Sequence, residues 1–396
     1  MHREKNEKPQ VQNWSTAPAS LKILFFHNTL PEYRIGWFCN LDKIANVDFV
    51  FTNEELNKKD YGFEIELEKA KGLRCTFLSD GVAGFIELVR LLNYIENYDF
   101  VELPPIDSVR EVIYSAYIVH VCKKAGVKTG YFWEKWEAPI DKQPLGRKVK
   151  NFILRIIPKA IYKHVDLIFS VGRKNKEYFL SNGINKQKIC WIPDVSETPE
   201  CDFVDIREKY NIPKDSKLIL FLGRLMPQKG VTDLITAFSM LDKDIQDSSF
   251  LLVAGNGDDM ENCKKLAQKF TIKNVTFVGT VNPTDRGNFF KQCDIFVYPV
   301  AYYKGRVDVW GLTVNEAIQH GKVVIATDAV GSAYELIEDG VNGYRVEPGN
   351  VELMKNALEC SMDEAIKESA IQKDAELFNE FNYINMAKKY IDAIVN

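Results

Sequence analysis

Two carboxylates, Asp308 and Glu316, bracket seven residues in the run DVWGLTVNE. Upstream, FLGRLMPQKGVTDLITAF carries Arg224 and Lys229 in a short basic loop between an apolar run and a helical pattern. Arg can hold phosphate oxygens with two parallel N–H bonds, and Lys acts as a compact point charge. Each such contact is worth ~1.5–3 kcal/mol. Gly311, Leu312 and Thr313 stand where a helix would open, so their backbone N–H groups can meet a second face of a diphosphate. Glu316 can accept from two vicinal hydroxyls, as a ribose offers, and Asp308 lies on the loop side, where a sugar would sit. Together these groups suit an anionic, hydroxyl-bearing ligand such as a nucleoside diphosphate sugar. Singly, Arg224 and Lys229 read equally well as solvated loop charges, Glu316 as a carboxylate capping a helix start, and Asp308 as an exposed loop acid. Their conjunction points to a site.

The elements that must position these residues are legible as short apolar, β-branched and aromatic runs alternating with helical patterns. Strands are expected at 21–28, 47–53, 99–104, 128–134, 166–172 and 189–194, and again at 217–223, 249–255, 275–280, 294–299 and 322–328. Continuous apolar strands separated by helices imply parallel sheets covered on both faces. The pattern restarts near 215, which predicts an α/β chain of two Rossmann-like, doubly wound domains facing a cleft: 21–195, a linker at 196–215, and 216–375. The segment 376–396 reads as a helix that can cross back to the first domain, and 1–20 as a flexible polar tail. Ligands of such sheets bind outside the carboxyl ends of the strands.

Composition narrows the function classes. The 396 residues include 46% hydrophobic and 27% charged side chains, ordinary for a soluble enzyme of two domains. A net charge of −4 argues against a nucleic-acid binder. No apolar run reaches the ~20 residues of a membrane helix, and the first residues lack a signal-peptide core, so a cytoplasmic protein is expected. The eight cysteines are scattered without C-x-x-C spacing and there are five histidines, which disfavours a zinc site or a disulfide framework. N-x-[ST] matches at Asn13 and Asn274 read as chance. Between Lys142 and His164 there are seven Lys/Arg and no Asp/Glu, with apolar residues at helical spacing and an expected interruption at Pro158. This stretch reads either as a domain helix with a solvated basic face or as a peripheral contact with the inner face of an anionic membrane.

GRLMPQKG, DVWGLTVNE and GKVVIATDAVGSAYELIEDGVNGYRV, in this order, resemble the retaining glycosyltransferases of family 4, which have the GT-B fold. The resemblance is specific over roughly 217–350 and looser upstream. It implies a hexosyltransferase that moves sugar from a nucleoside diphosphate sugar, UDP- or GDP-linked, to a glycan or lipid-linked acceptor in surface polysaccharide or glycolipid synthesis. It implies that Arg224 and Lys229 bind the diphosphate, that Glu316 binds the ribose, that backbone near Phe277–Val281 meets the base, and that no metal or cofactor is needed. Asp308, with Arg224 and Lys229, takes the catalytic position. HNTLPEYRIGWF resembles the P-x-Y-R loop of some polysaccharide-type members, with Tyr33 and Arg34 facing the cleft. Trp133 and Glu134 occupy a position where many members carry a His, which makes them acceptor-side candidates, although Glu134 reads first as a salt-bridge partner of Lys135 or Arg147. Two departures stand out: Asp308 replaces the usual Glu, and Gly331-Ser332 replaces Gly-Gly. The Asp keeps open a catalytically silent sugar-nucleotide-binding protein. A nucleotide-sugar epimerase on the same fold is a further alternative, and a phosphorylase has no supporting motif.

Overall fold

A computed structural model describes residues 21–53, 68–106 and 108–396. The tail at 1–20 and Asn13 lie outside the described residues. Seven parallel strands form the first sheet: β1 Lys22–His27, β2 Asn46–Phe51, β3 Arg74–Phe77, β4 Phe100–Leu103, β5 Lys128–Phe132, β6 Leu167–Ser170 and β7 Ile189–Trp191, in the order β3-β2-β1-β4-β5-β6-β7. Six parallel strands form the second: β8 Lys217–Leu222, β9 Ser249–Ala254, β10 Val275–Gly279, β11 Ile295–Tyr298, β12 Val323–Thr327 and β13 Gly343–Val346, in the order β10-β9-β8-β11-β12-β13. Helices cover both sheets, and the two-domain GT-B architecture follows.

Central strands such as β9 and β12 are buried at every position, which is why they appear in the sequence as unbroken apolar runs. The strand order reverses between β1 and β4 in the first sheet and between β8 and β11 in the second. At such a reversal neighbouring crossovers leave in opposite directions and open a crevice at the strands' carboxyl ends. Both crevices face the space between the domains.

Hydrogen bonds from the first domain and the linker tie onto the second domain. Ser196 donates to Glu316 at 2.8 Å, the Trp136 indole donates to the Val309 carbonyl at 3.1 Å, and the Arg173 backbone N–H donates to Glu335 at 2.6 Å. The chain then ends in two helices, Glu364–Glu380 and Tyr383–Val395, separated at Phe381-Asn382. The second lies on the first-domain helix Glu32–Ile44: Tyr383 donates to the Tyr33 carbonyl at 2.8 Å, and the Tyr390 ring enters the cluster of Phe25, Trp37, Phe100 and Phe169. Tyr390 also donates to the buried Glu102 at 2.9 Å. Within 196–215 the chain already packs on the second domain: the Thr198 N–H donates to Gln319 at 2.7 Å, and the segment from Val204 onward bonds Asn288, Gln292 and Asp294.

Contrary to the sequence expectation, the helix Leu145–Tyr162 runs through Pro158 without interruption. A proline forfeits one helical hydrogen bond but does not by itself end a helix whose flanking turns are held by packing. No helix among the described residues is long and apolar enough to cross a membrane. All eight cysteines are free thiols.

Candidate active site

The second-domain crevice brings together two of the residues singled out by sequence. Lys229 closes a single helical turn, Pro227–Lys229, just after β8, and Asp308 sits in the loop after β11. The Lys229 ammonium donates to Asp308 at 2.5 Å and to the Tyr298 hydroxyl, and Tyr298 donates to the same carboxylate oxygen at 2.7 Å. Only 14% of the Lys229 side chain and 18% of Asp308 are exposed. Burial alone would raise the Asp308 carboxyl, but Lys229 and the Tyr298 hydroxyl outweigh it and hold the group below the usual carboxylate range. Burial would likewise strip the proton from Lys229, yet Tyr298 and Asp308 hold it charged. Arg224 is different: it is exposed just beyond the end of β8 and has no side-chain partner among the described residues.

Asp308 is fixed through its backbone. Its N–H donates to the Ala329 carbonyl at 2.9 Å, and its carbonyl accepts from Gly331 at 3.1 Å. A Cβ at Gly331 would fall 1.9 Å from the Val309 carbonyl oxygen, so this glycine is required by close approach. The next position tolerates a side chain: the Ser332 N–H donates to the Trp310 carbonyl at 2.8 Å and its hydroxyl reaches the Gly311 carbonyl at 3.4 Å. The Gly-Ser departure thus preserves the glycine that matters. Gly311 precedes the helix Leu312–Gln319, and Thr313 in its first turn has a buried hydroxyl with no partner.

Glu316 lies in the second turn of that helix, fully buried, and caps nothing. One carboxylate oxygen accepts from Ser196 at 2.8 Å and pairs with Arg286 at 3.0 Å; the other is buried without a partner. Burial raises its pKa against the opposing pull of Arg286 and Ser196.

In the first domain a cavity of about 190 Å³ opens at the β1/β4 reversal, lined by His27, Asn28, Tyr33, Pro105, Phe132, Trp133 and Glu134. Tyr33, Trp133 and Glu134 are therefore at the cleft. Arg34 is not open to it: the guanidinium is 1% exposed beneath the cavity and bridges Glu134 and Asp194, the latter at 2.7 Å. Glu134, just after β5, pairs with Arg34 in the first turn of the helix Glu32–Ile44, while Arg147 sits on the separate helix Leu145–Tyr162. Asp194 is wholly buried, and burial raises its pKa despite Arg34.

Sequence reasoning missed Tyr298, Arg286, Asp194 and Ser196. Tyr298 had a signal, a hydroxyl at the carboxyl end of a strand. The other three had none, since each meets its partner only through the fold.

Residues 202–378 match the family described as Glycosyl transferases group 1. They form a group 1 glycosyltransferase domain. The chain is 28% identical over 260 residues to an uncharacterized glycosyltransferase of Methanocaldococcus jannaschii, covering 63% of this chain and 64% of that protein. It is 25% identical over 202 residues to a lipopolysaccharide 1,2-N-acetylglucosaminetransferase of Salmonella typhimurium, covering 48% and 51%. The chain thus spans between about half and two thirds of the length of these relatives. The fold of the whole chain resembles that of Anabaena HepE, solved with UDP and glucose: TM-score 0.70, 16% identity, 95% of this chain and 99% of that one.

Proposed function

We propose that the protein is a retaining, metal-independent glycosyltransferase of family 4 type, moving a hexose-type sugar from a UDP- or GDP-linked donor to a glycan or lipid-linked acceptor in surface polysaccharide or glycolipid synthesis. The observation that carries the reading is the Lys229–Asp308–Tyr298 cluster at the β8/β11 reversal, a buried cation held charged where an anionic ligand meets the sheet. The Salmonella lipopolysaccharide relative and the UDP-bound neighbour support the donor class and the product class.

In this reading the bond from the anomeric carbon to the diphosphate oxygen breaks, and its electron pair stays on that oxygen. Lys229, with Arg224 swinging in from solvent, stabilises the developing charge; fixed charges that need no reorganisation are effective in a site closed to water. The acceptor hydroxyl bonds to the anomeric carbon from the same face, and its proton passes to the departing phosphate oxygen. Asp308 orients Lys229 and meets the sugar hydroxyls, and the free oxygen of Glu316 receives the ribose. The first-domain cavity, with Tyr33, Trp133 and Glu134, takes the acceptor. The helix Leu145–Tyr162 leaves Leu145, Val149, Phe152 and Ile156 exposed along one side, amid exposed Lys142, Lys148 and Lys150. That face complements an anionic bilayer, each nearby basic residue contributing ~1 kcal/mol, and supports a peripheral position at the cytoplasmic leaflet.

The test is thermal stabilisation by a panel of nucleoside diphosphates and their sugars, on wild type and on Lys229→Ala. Ligand at a hundred times its Kd stabilises by ~2.7 kcal/mol. A shift with one nucleotide that disappears in the variant supports the reading; no shift with any nucleotide overturns it.

A further inference from the structure

Where the two domains meet stand two arginines that form no salt bridge among the described residues. Arg147, in the first turn of the helix Leu145–Tyr162, and Arg306, in the loop after β11, come from different domains. The loop presses on the helix: a Cβ on Gly305 would lie 3.0 Å from the Gln143 backbone and 3.2 Å from the Arg147 side chain. Both supports are fixed. The Gln143 amide is buried, donating to the Ala138 carbonyl at 2.5 Å and accepting from Asn151 at 3.0 Å. The loop holds Lys304 in the left-handed region at φ 51°.

Arg147 has no acid of its own. Its Nε is buried without a hydrogen-bond partner. The nearest carboxylate, Glu137, spends both oxygens on Arg155, at 3.2 and 2.6 Å. Burial and then Arg306 depress the Arg147 guanidinium, which only Glu137 opposes. Arg306 is exposed and makes no side-chain bond among the described residues. Like charges brought together at a part-buried position are unfavourable unless an anion joins them.

We infer that Arg147 and Arg306 form, where the two domains meet, a phosphate-binding site that takes the phosphate group of an amphiphilic acceptor. A phosphate has the charge and the several oxygens to bond two guanidinium forks at once; a carboxylate has one charge and two oxygens. The exposed Leu145 and Val149 on the same helix give an alkyl chain a place beside it. The anion site stands on the arginines alone; that its ligand is the acceptor rests on the glycosyl-transfer reading.

The test starts from full-length protein carrying Lys229→Ala and Arg224→Ala, whose donor site has lost both cations, titrated calorimetrically with inorganic pyrophosphate. Adding Arg147→Gln and Arg306→Gln is expected to weaken binding at least about tenfold, since one charge-assisted contact is worth that much. Equal affinity with and without the arginines, or no binding before their removal, overturns the inference. A second arm measures co-sedimentation of otherwise wild-type protein with phosphatidylcholine vesicles containing a polyprenyl phosphate or, at matched charge, phosphatidylglycerol. Loss confined to the polyprenyl phosphate vesicles assigns the site to a lipid phosphate. Lost pyrophosphate binding with vesicle binding intact assigns it to a soluble phosphorylated acceptor. Equal loss on both vesicles reduces the arginines to general membrane charge and overturns the site. Arg306→Gln alone, at an exposed position, guards against misfolding as the cause. Failure of the glycosyl-transfer reading shows separately, as absence of nucleotide stabilisation in wild type.

Discussion

Replacing Lys229 by Ala leaves Asp308 buried with the Tyr298 hydroxyl and the Trp310 backbone N–H but no counter-charge. Breaking a buried ion pair at one partner costs ~3–5 kcal/mol. The 14% and 18% exposure of the two side chains and the remaining Tyr298 bond lower this to roughly 2–3 kcal/mol. In a domain of this size each kcal/mol moves the midpoint by ~2–4 °C, so the second-domain transition should fall by ~5–10 °C. Asp308→Ala should lose a similar amount, because Lys229 is then the stranded charge. The pair Lys229→Met with Asp308→Leu strands nothing and should return to within ~1 kcal/mol of wild type, because a buried ion pair replaced by apolar groups is close to neutral. Nucleotide binding separates from stability: both Lys229 variants should lose roughly 10–100-fold in affinity, the worth of one charge-assisted contact. The assay is thermal unfolding with and without nucleoside diphosphate across the double-mutant cycle. Additive single effects would refute the buried pair. Wild-type nucleotide stabilisation in the double variant would refute its place in the donor site.

Burial pushes Glu102 up to about 8 against Tyr390 and the Phe132 N–H, from 4.5 for the free group. A raised carboxyl binds its proton more tightly folded than unfolded, so the stabilisation is complete below pH 4.5 and is lost as pH rises through about 8. Unfolding of Glu102→Gln should show a flatter pH dependence over that window. Gly230 sits at φ 64°, where a Cβ would fall 1.9 Å from the Pro299 carbonyl oxygen, so Gly230→Ala should cost more than ~2 kcal/mol in urea unfolding and loosen the Lys229 turn. Glu316→Gln keeps the Ser196 contact but strands the Arg286 guanidinium, so it should cost ~1–3 kcal/mol, while lowering nucleotide affinity about tenfold if the carboxylate binds ribose. Phe152→Glu, at a side chain 64% exposed, should leave the melting temperature unchanged and weaken co-sedimentation with anionic vesicles.

The eleven expected strands are all present because buried parallel strands need apolar residues on both faces, and this shows in a single sequence. β3 (RCTF) and β13 (GYRV) went unseen. They are four-residue edge strands, β3 without a buried position and β13 buried only at its two ends, and their side chains carry no unbroken apolar run. The donor-side residues Arg224, Lys229, Asp308 and Glu316 were legible because each lies beside a strand end or in a helix start that the sequence marks by itself. What these side chains touch was not. Lys229 and Tyr298 are 69 residues apart and Ser196 and Glu316 are 120 apart, and only the strand order places them within bonding distance. Arg34 reads in sequence as a cleft residue, yet the fold buries it between Glu134 and Asp194, 100 and 160 residues away. The sequence by itself determined two doubly wound domains and which residue types stand at the strand ends. The tertiary structure decided which charges are paired, as Lys229 is with Asp308, and which are left open, as Arg147 and Arg306 are. Charge pairing depends on contacts between distant segments, whereas strand and helix formation depend on neighbours along the chain.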